Sequence, residues 1–105
     1  MTKVFKIHDD EWEQIVGVEQ LKEHAEIQMQ AFLDELGWNV TDAETKDGEQ
    51  ILTEEVEYRL GSLDRLQEVK DIIKKFNKTD ELYTVDESKL ALKLRYFEIE
   101  ELDIY

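Results

Sequence analysis

Apolar residues recur at Val18, Leu21, Ala25, Met29, Phe32 and Leu36, in steps of 3, 4, 4, 3 and 4. That is the period of a single helix face. Gly37 follows immediately, where a left-handed C-cap belongs. The pattern predicts one amphipathic helix over Val18–Leu36, with Glu19, Glu23, Glu26, Gln30 and Asp34 on the face turned away from the core. A second stripe, Leu63, Leu66, Val69, Ile73 and Phe76, steps by 3, 3, 4 and 3 and predicts a helix over residues 63–78, with Ser62 as its N-cap after Gly61. Lys70, Lys74, Lys75 and Lys78 crowd its C-terminal half, where cations suit the helix dipole.

Elsewhere the pattern shortens towards a period of two. Val4, Phe5 and Ile7 give residues 3–8 strand character. Asp9 or Asp10 then reads as an N-cap, with Glu11 and Glu13 in a first helical turn that carries Trp12, Ile15 and Val16 to a bend or break at Gly17. Trp12 is expected to cover the end of the core. Trp38 and Val40 open a strand towards Thr45, and Asp47-Gly48 is the favoured hairpin dipeptide. Beyond it Val56, Tyr58 and Leu60 alternate with Glu55, Glu57 and Arg59. A strand is favoured there, although a helix from Thr53 also fits the spacing. Leu82, Tyr83 and Val85 suggest a short strand, Asp86-Glu87-Ser88 a turn, and Leu90, Leu92, Leu94 and Tyr96 the clearest strand of the chain, running on through Phe97 and Ile99. The sum is a small single α+β domain over residues 1–105: two amphipathic helices packed on an antiparallel sheet, in the βαββαβ order of a ferredoxin-like fold. A helical 53–60 would make it a mainly helical bundle closed by a C-terminal hairpin.

Composition changes the picture through charge. The net charge is −14, and residues 9–57 alone hold sixteen acids against Lys22 and Lys46. Residues 58–97 hold seven acids and nine bases, and the last eight residues add Glu98, Glu100, Glu101 and Asp103. Clustered like charge is a cost to folding that salt only partly relieves. Such clustering points either to simple solubility or to a face that meets a basic partner. The same field opposes direct binding of nucleic acid, since four lysines stand against the whole chain.

Candidate chemistry is sparse. With no cysteine there is no disulfide, thiol nucleophile or cysteine-bound zinc. Ser62 and Ser88 read as a cap and a turn, and no Gly-x-Ser-x-Gly or glycine-rich phosphate loop is present. His8 with Asp9, Asp10 and Glu11 is a run of neighbours that do not converge on one face of a helix. Of a calcium loop placed with Gly48 at its sixth position, only Asp47 and Glu54 match. No enzyme, metal or cofactor is expected. The run MTKVFKIHDDEW lacks the apolar core of a signal peptide, and the chain has no stretch of the roughly 18 apolar residues that span a bilayer. A cytoplasmic protein without membrane contact is expected, in the host cytoplasm if phage-encoded.

Small size, acidity and no catalytic kit favour an acidic protein that occupies the basic nucleic-acid-binding groove of a partner. The residues expected to do so are Glu19, Glu23, Glu26, Asp34 and Glu35 on the first helix, joined by Glu44, Glu49, Glu54, Glu55 and Glu57. Phage and plasmid inhibitors of restriction or CRISPR nucleases are proteins of this size and charge; the likeness is one of composition, with no shared motif. The competing expectation is a small cytoplasmic adaptor or regulator without mimicry, including a homodimer whose acidic face meets the lysines of residues 70–78 on a second copy.

Overall fold

The computed structural model describes residues 2–37, 45–76 and 83–104. The elements run β1 (Thr2–His8), β2 (Glu13–Val16), α1 (Val18–Leu36), α2 (Lys46–Leu60), α3 (Leu66–Phe76), α4 (Val85–Lys93) and β3 (Glu98–Ile104). The domain is α+β, with a three-stranded antiparallel sheet in the order β2-β1-β3. Its element order is ββααααβ, so the ferredoxin-like βαββαβ arrangement is not what these residues form.

The sheet grows from both ends of the chain. Phe5 lies opposite Val16 on β2 and Glu101 on β3, while Ile7 lies opposite Gln14 and Ile99. Alternation then turns Phe5, Ile7 and Val16 into the core and leaves Lys6 and Ile15 on the outer face. Residues 9–16, expected to be helical, instead turn back into β2. Asp9 does serve as a cap, but of a turn: its Oδ1 accepts from the backbone N–H of Glu11 at 2.9 Å and of Trp12 at 2.7 Å. The Asp9 N–H donates to the Trp12 carbonyl at 2.9 Å and closes the loop.

Helix α1 has the boundaries its stripe predicts. Its N-cap is Gly17, and Gly37 takes the left-handed conformation at φ 73°, donating to the carbonyls of Asp34 and Leu33. Leu21, Ala25, Met29, Phe32 and Leu33 are buried. The helix packs chiefly against α4 and, less extensively, on β1.

Two stretches that alternate like strands, and the turn expected before the first of them, fall in helices. Lys46, Asp47 and Gly48 form the first turn of α2, not a hairpin. Thr45 is its N-cap, and the Thr45 Oγ1 accepts from Gly48 N–H at 3.0 Å. The positive-φ glycines are Gly37 and Gly61, each ending a helix. Residues 53–60 continue α2, burying Leu52 and Val56 and leaving Tyr58 outside. The strand expected over 90–96 is α4 and the turn after it. Here a capping box decides: Glu87 N–H donates to Thr84 Oγ1, and Thr84 N–H donates to Glu87 Oε1. Leu90, Ala91, Leu92 and Leu94 are all buried, and Ala91 breaks the alternation a half-buried strand would show. Tyr83 belongs to no strand, and Val85 opens α4. Helix α3 begins at Leu66, three residues later than predicted, because Leu66 N–H donates to the Leu63 carbonyl in a preceding turn. The expected strand at Trp38 and Val40, the last turn at Lys78, and Leu82 lie outside the described residues. No helix among the described residues is long and apolar enough to cross a membrane.

Phe32 is fully buried at the centre of the α1 stripe. Phe32→Ala is expected to cost about 3–5 kcal/mol in urea denaturation. A loss below about 0.5 kcal/mol, the range of an ordinary surface change, would place it outside the packed core.

Candidate partner-binding surface

The outward face of α1 carries Glu19, Glu23, Glu26 and Asp34, all exposed. None of the four forms an ion pair among the described residues. Asp34 accepts from Gln30 Nε2 at 2.8 Å, a bond within the same face. Ile27 stands among them, 62% exposed and almost opposite the buried stripe. The outward face of α2 repeats this composition. Asp47, Glu54 and Glu57 are exposed and unpaired among the described residues, with Ile51 (42% exposed) and Tyr58 (79%) beside them.

The other acids expected to bind a partner have work inside the fold. Glu35 on α1 accepts from Arg59 Nη2 at 2.8 Å and also pairs with Arg95. Glu55 accepts from Arg59 Nε at 2.8 Å. Glu49 pairs with Lys70 of α3, whose hydrogen bond holds the Glu49 carboxyl below the usual carboxylate range. Glu44 lies outside the described residues. The sheet follows the same rule: Lys6 lies 3.4 Å from Glu13 and 3.6 Å from Glu100, which push its pKa up, and Glu101 pairs with Lys3 and Lys89.

Arg59 is the centre of this internal chemistry. Its side chain is only 8% exposed. Beyond the two carboxylates, its Nη1 donates to the Leu94 carbonyl at 2.8 Å. Its guanidinium lies 4.9 Å from the Phe32 ring centroid and 5.4 Å from that of Tyr96. Tyr96 is held at φ 69°, uncommon for a residue with a side chain. One cation thus joins α1, α2 and the turn between α4 and β3.

Two shallow clefts flank the Asp9 turn. One, about 490 Å³, lies between His8, Asp9, Asp10 and Glu11 on one side and Arg95, Tyr96 and Glu98 on the other. The second, about 280 Å³, lies beside Trp12, whose ring meets His24 at 6.0 Å and Phe97 at 5.9 Å between centroids. Trp12 therefore rests on His24 and Phe97 at the surface, 41% exposed and outside the core cluster it was expected to cover. The described residues contain no group of three or more His, Asp or Glu arranged to hold a metal. The Tyr83 hydroxyl is buried without a hydrogen-bond partner among them, and burial together with Glu26 and Glu87 pushes its pKa up.

Ile27 and Ile51 were not singled out from sequence, and Tyr58 was read only as an apolar position of a strand. For Ile27 the available signal was its position off the buried stripe of α1; for Ile51 and Tyr58 it required α2 to be read as a helix. Comparison with protein-family models, curated proteins and solved structures finds no match to this chain.

Two expectations follow. Arg59→Ala breaks a nearly buried, triply bonded cation and is expected to cost about 2–4 kcal/mol in urea denaturation. Arg59→Lys, which keeps charge but not the planar fork, should recover little of it. Full recovery by lysine would mean that charge alone matters. The second concerns Glu87, half-buried at the α4 cap. Burial pushes its pKa up, but Lys75 at 2.8 Å and the Thr84 cap outweigh burial and hold it below the ordinary 4.5. Its contribution is therefore complete above pH 4.5 and lost as pH falls through the lowered folded value. Glu87→Gln keeps the cap geometry, so its melting temperature should lie below the parent's at pH 7 and converge with it as pH falls below 4.5. A gap that stays constant with pH would show that the ion pair contributes nothing.

Proposed function

We propose that this chain is an acidic binding protein that occupies the basic nucleic-acid-binding groove of a partner protein, a nuclease or another nucleic-acid enzyme. The observation that carries this reading is a sorting of charge. Glu35, Glu55, Glu49, Glu13, Glu100 and Glu101 are matched by Arg59, Arg95, Lys70, Lys6 and Lys89, whereas Glu98 and Asp103 on β3 form no ion pair among the described residues. Acids on the outward faces of α1 and α2 are left unmatched among the described residues.

Spacing supports two helices rather than one. Residues 19 and 34 are separated by about 22 Å of helix at 1.5 Å per residue. Four charges over that length are on average about 7 Å apart, against one per roughly 1.7 Å of duplex. The acids of α2 are needed to raise the density. The self-pairing adaptor finds less support. Of the lysines a second copy would offer, Lys70 is already bound to Glu49 and Lys75 to Glu87.

The test is a joint reversal of Glu19, Glu23, Glu26 and Asp34 to Lys, which takes the formal charge from −14 to −6, two units per site. No core contact depends on these side chains, so thermal stability should hold. Inhibition of DNA cleavage, titrated over a panel of purified nucleases and a salt series, should weaken at least a hundredfold, about 2.7 kcal/mol, for any enzyme the parent inhibits. Unchanged inhibition with unchanged salt dependence, or a parent that inhibits none of them, would defeat the proposal.

A further inference from the structure

We infer that the outward face of α2 is a docking face, and that its occupant is an apolar groove rimmed by basic side chains on the partner protein. The inference shares the basic partner of the proposed function and adds to it the surface that does the anchoring.

Helix α2 has two faces of different use. Gly48, Leu52 and Val56 are buried, and Arg59 is tied to α1 and the turn after α4. The remaining side holds Asp47, Ile51, Glu54 and Tyr58, spaced 4, 3 and 4 along the chain and so aligned on one stripe. Ile51 and Tyr58 are seven residues apart, two turns along that stripe, which is the anchor spacing of a helix laid into a groove. Tyrosine is among the residues that most often dominate such contacts. Neither side chain takes part in the core.

Charge selects the occupant. Asp47, Glu54 and Glu57 surround the two anchors, and Lys46 is the base at the N-terminal edge. A second copy of the chain would bring its own acidic face to this one, with like charges opposed. A nucleic acid would be repelled for the same reason. A groove with an apolar floor and lysine or arginine rims complements both the anchors and their surroundings. The outer face of the sheet, with Ile15 and Leu102 exposed, lacks that complementarity, because Lys6 lies between Ile15 and Glu100 in the register.

The experiment uses the full chain and a synthetic probe: an amphipathic leucine–lysine helical peptide of about five turns, with a lysine–serine peptide of equal charge as control. Amide shifts are mapped by NMR and affinity by titration. The leucine–lysine peptide should shift residues 47–58. Joint replacement of Ile51 and Tyr58 by Ser should weaken it about tenfold or more while leaving the melting temperature nearly unchanged. Joint replacement of Ile15 and Leu102 by Ser should leave affinity unchanged. The inference is overturned if shifts map to the sheet, if the lysine–serine peptide binds equally well, or if the Ile51/Tyr58 variant binds as the parent does. It is also overturned if sedimentation shows a dimer that this variant dissolves, since the occupant is then a second copy. The α1 reversal separates the two proposals. Loss of nuclease inhibition on α1 reversal, with the Ser pair silent, leaves groove occupation standing and removes the α2 anchor. The Ser pair effective with the reversal silent does the opposite.

Discussion

The structure turns on Arg59. A helix with only Leu52, Val56 and Gly48 buried has little apolar surface with which to hold itself against the domain. Arg59 supplies the attachment by another means, reaching Glu35 on α1 and the Leu94 carbonyl at the end of α4. A nearly buried guanidinium is costly to desolvate, and the cost is offset only where its donors are met. Three of its N–H directions end on oxygen at 2.8 Å, and the guanidinium lies near two aromatic rings. Tyr96 closes this arrangement. Its left-handed backbone costs energy, and the turn that imposes it also brings Arg95 to Glu35 and Gln28. The same cation offsets two carboxylates in a chain with a large excess of them.

What the sequence made legible depended on whether one residue pattern admitted one geometry. The Val18–Leu36 stripe is long, keeps a single period and is bounded by Gly17 and Gly37, so its helix could be read to the residue. Helix α2 could not, because Val56, Tyr58 and Leu60 satisfy a period of two as well as partly satisfying 3.6. The ambiguity came from Tyr58, which the core does not use. In α4 the Leu90, Leu92 and Leu94 alternation concealed a helix that buries Ser88, Leu90, Ala91 and Leu92 together. Its signal lay upstream, in Thr84-Val85-Asp86-Glu87, a capping box that ranks above alternation over so short a run. The Asp47-Gly48 dipeptide lost to Thr45 for the same reason: a side-chain cap that satisfies a helix N–H fixes the local backbone. At four residues β2 is too short for periodicity, and its pairing with β1 decides it.

The candidate surface was legible in part. Sequence placed the α1 acids on the outward side, because that follows from helical geometry alone. It did not separate free acids from engaged ones, because the partners are distant in the chain: Glu35 and Arg95 are 60 residues apart, and Glu49 and Lys70 are 21 apart. Folding thus subtracts Glu35, Glu49 and Glu55 from the apparent excess and leaves a smaller set without an ion pair among the described residues.

That smaller set is not purely electrostatic. Ile27 lies within the acids of α1, and Ile51 and Tyr58 lie within those of α2. Single apolar side chains on a surface are ordinary, and the proposed reading uses only those that share a stripe with the acids. A protein that copied duplex charge alone would not need them. On the proposed reading the two kinds of residue divide the work by range. Charge acts over a Debye length and raises the rate of encounter with a basic groove, an effect that salt removes. Apolar anchors act only at contact and set how long the complex lasts, an effect salt leaves largely in place. Acids that steer and anchors that hold need not occupy the same helix. Helix α1 carries four exposed acids without an ion pair among the described residues and one exposed isoleucine, and α2 three such acids with Ile51 and Tyr58, so the proposed reading assigns capture mainly to the first and retention mainly to the second.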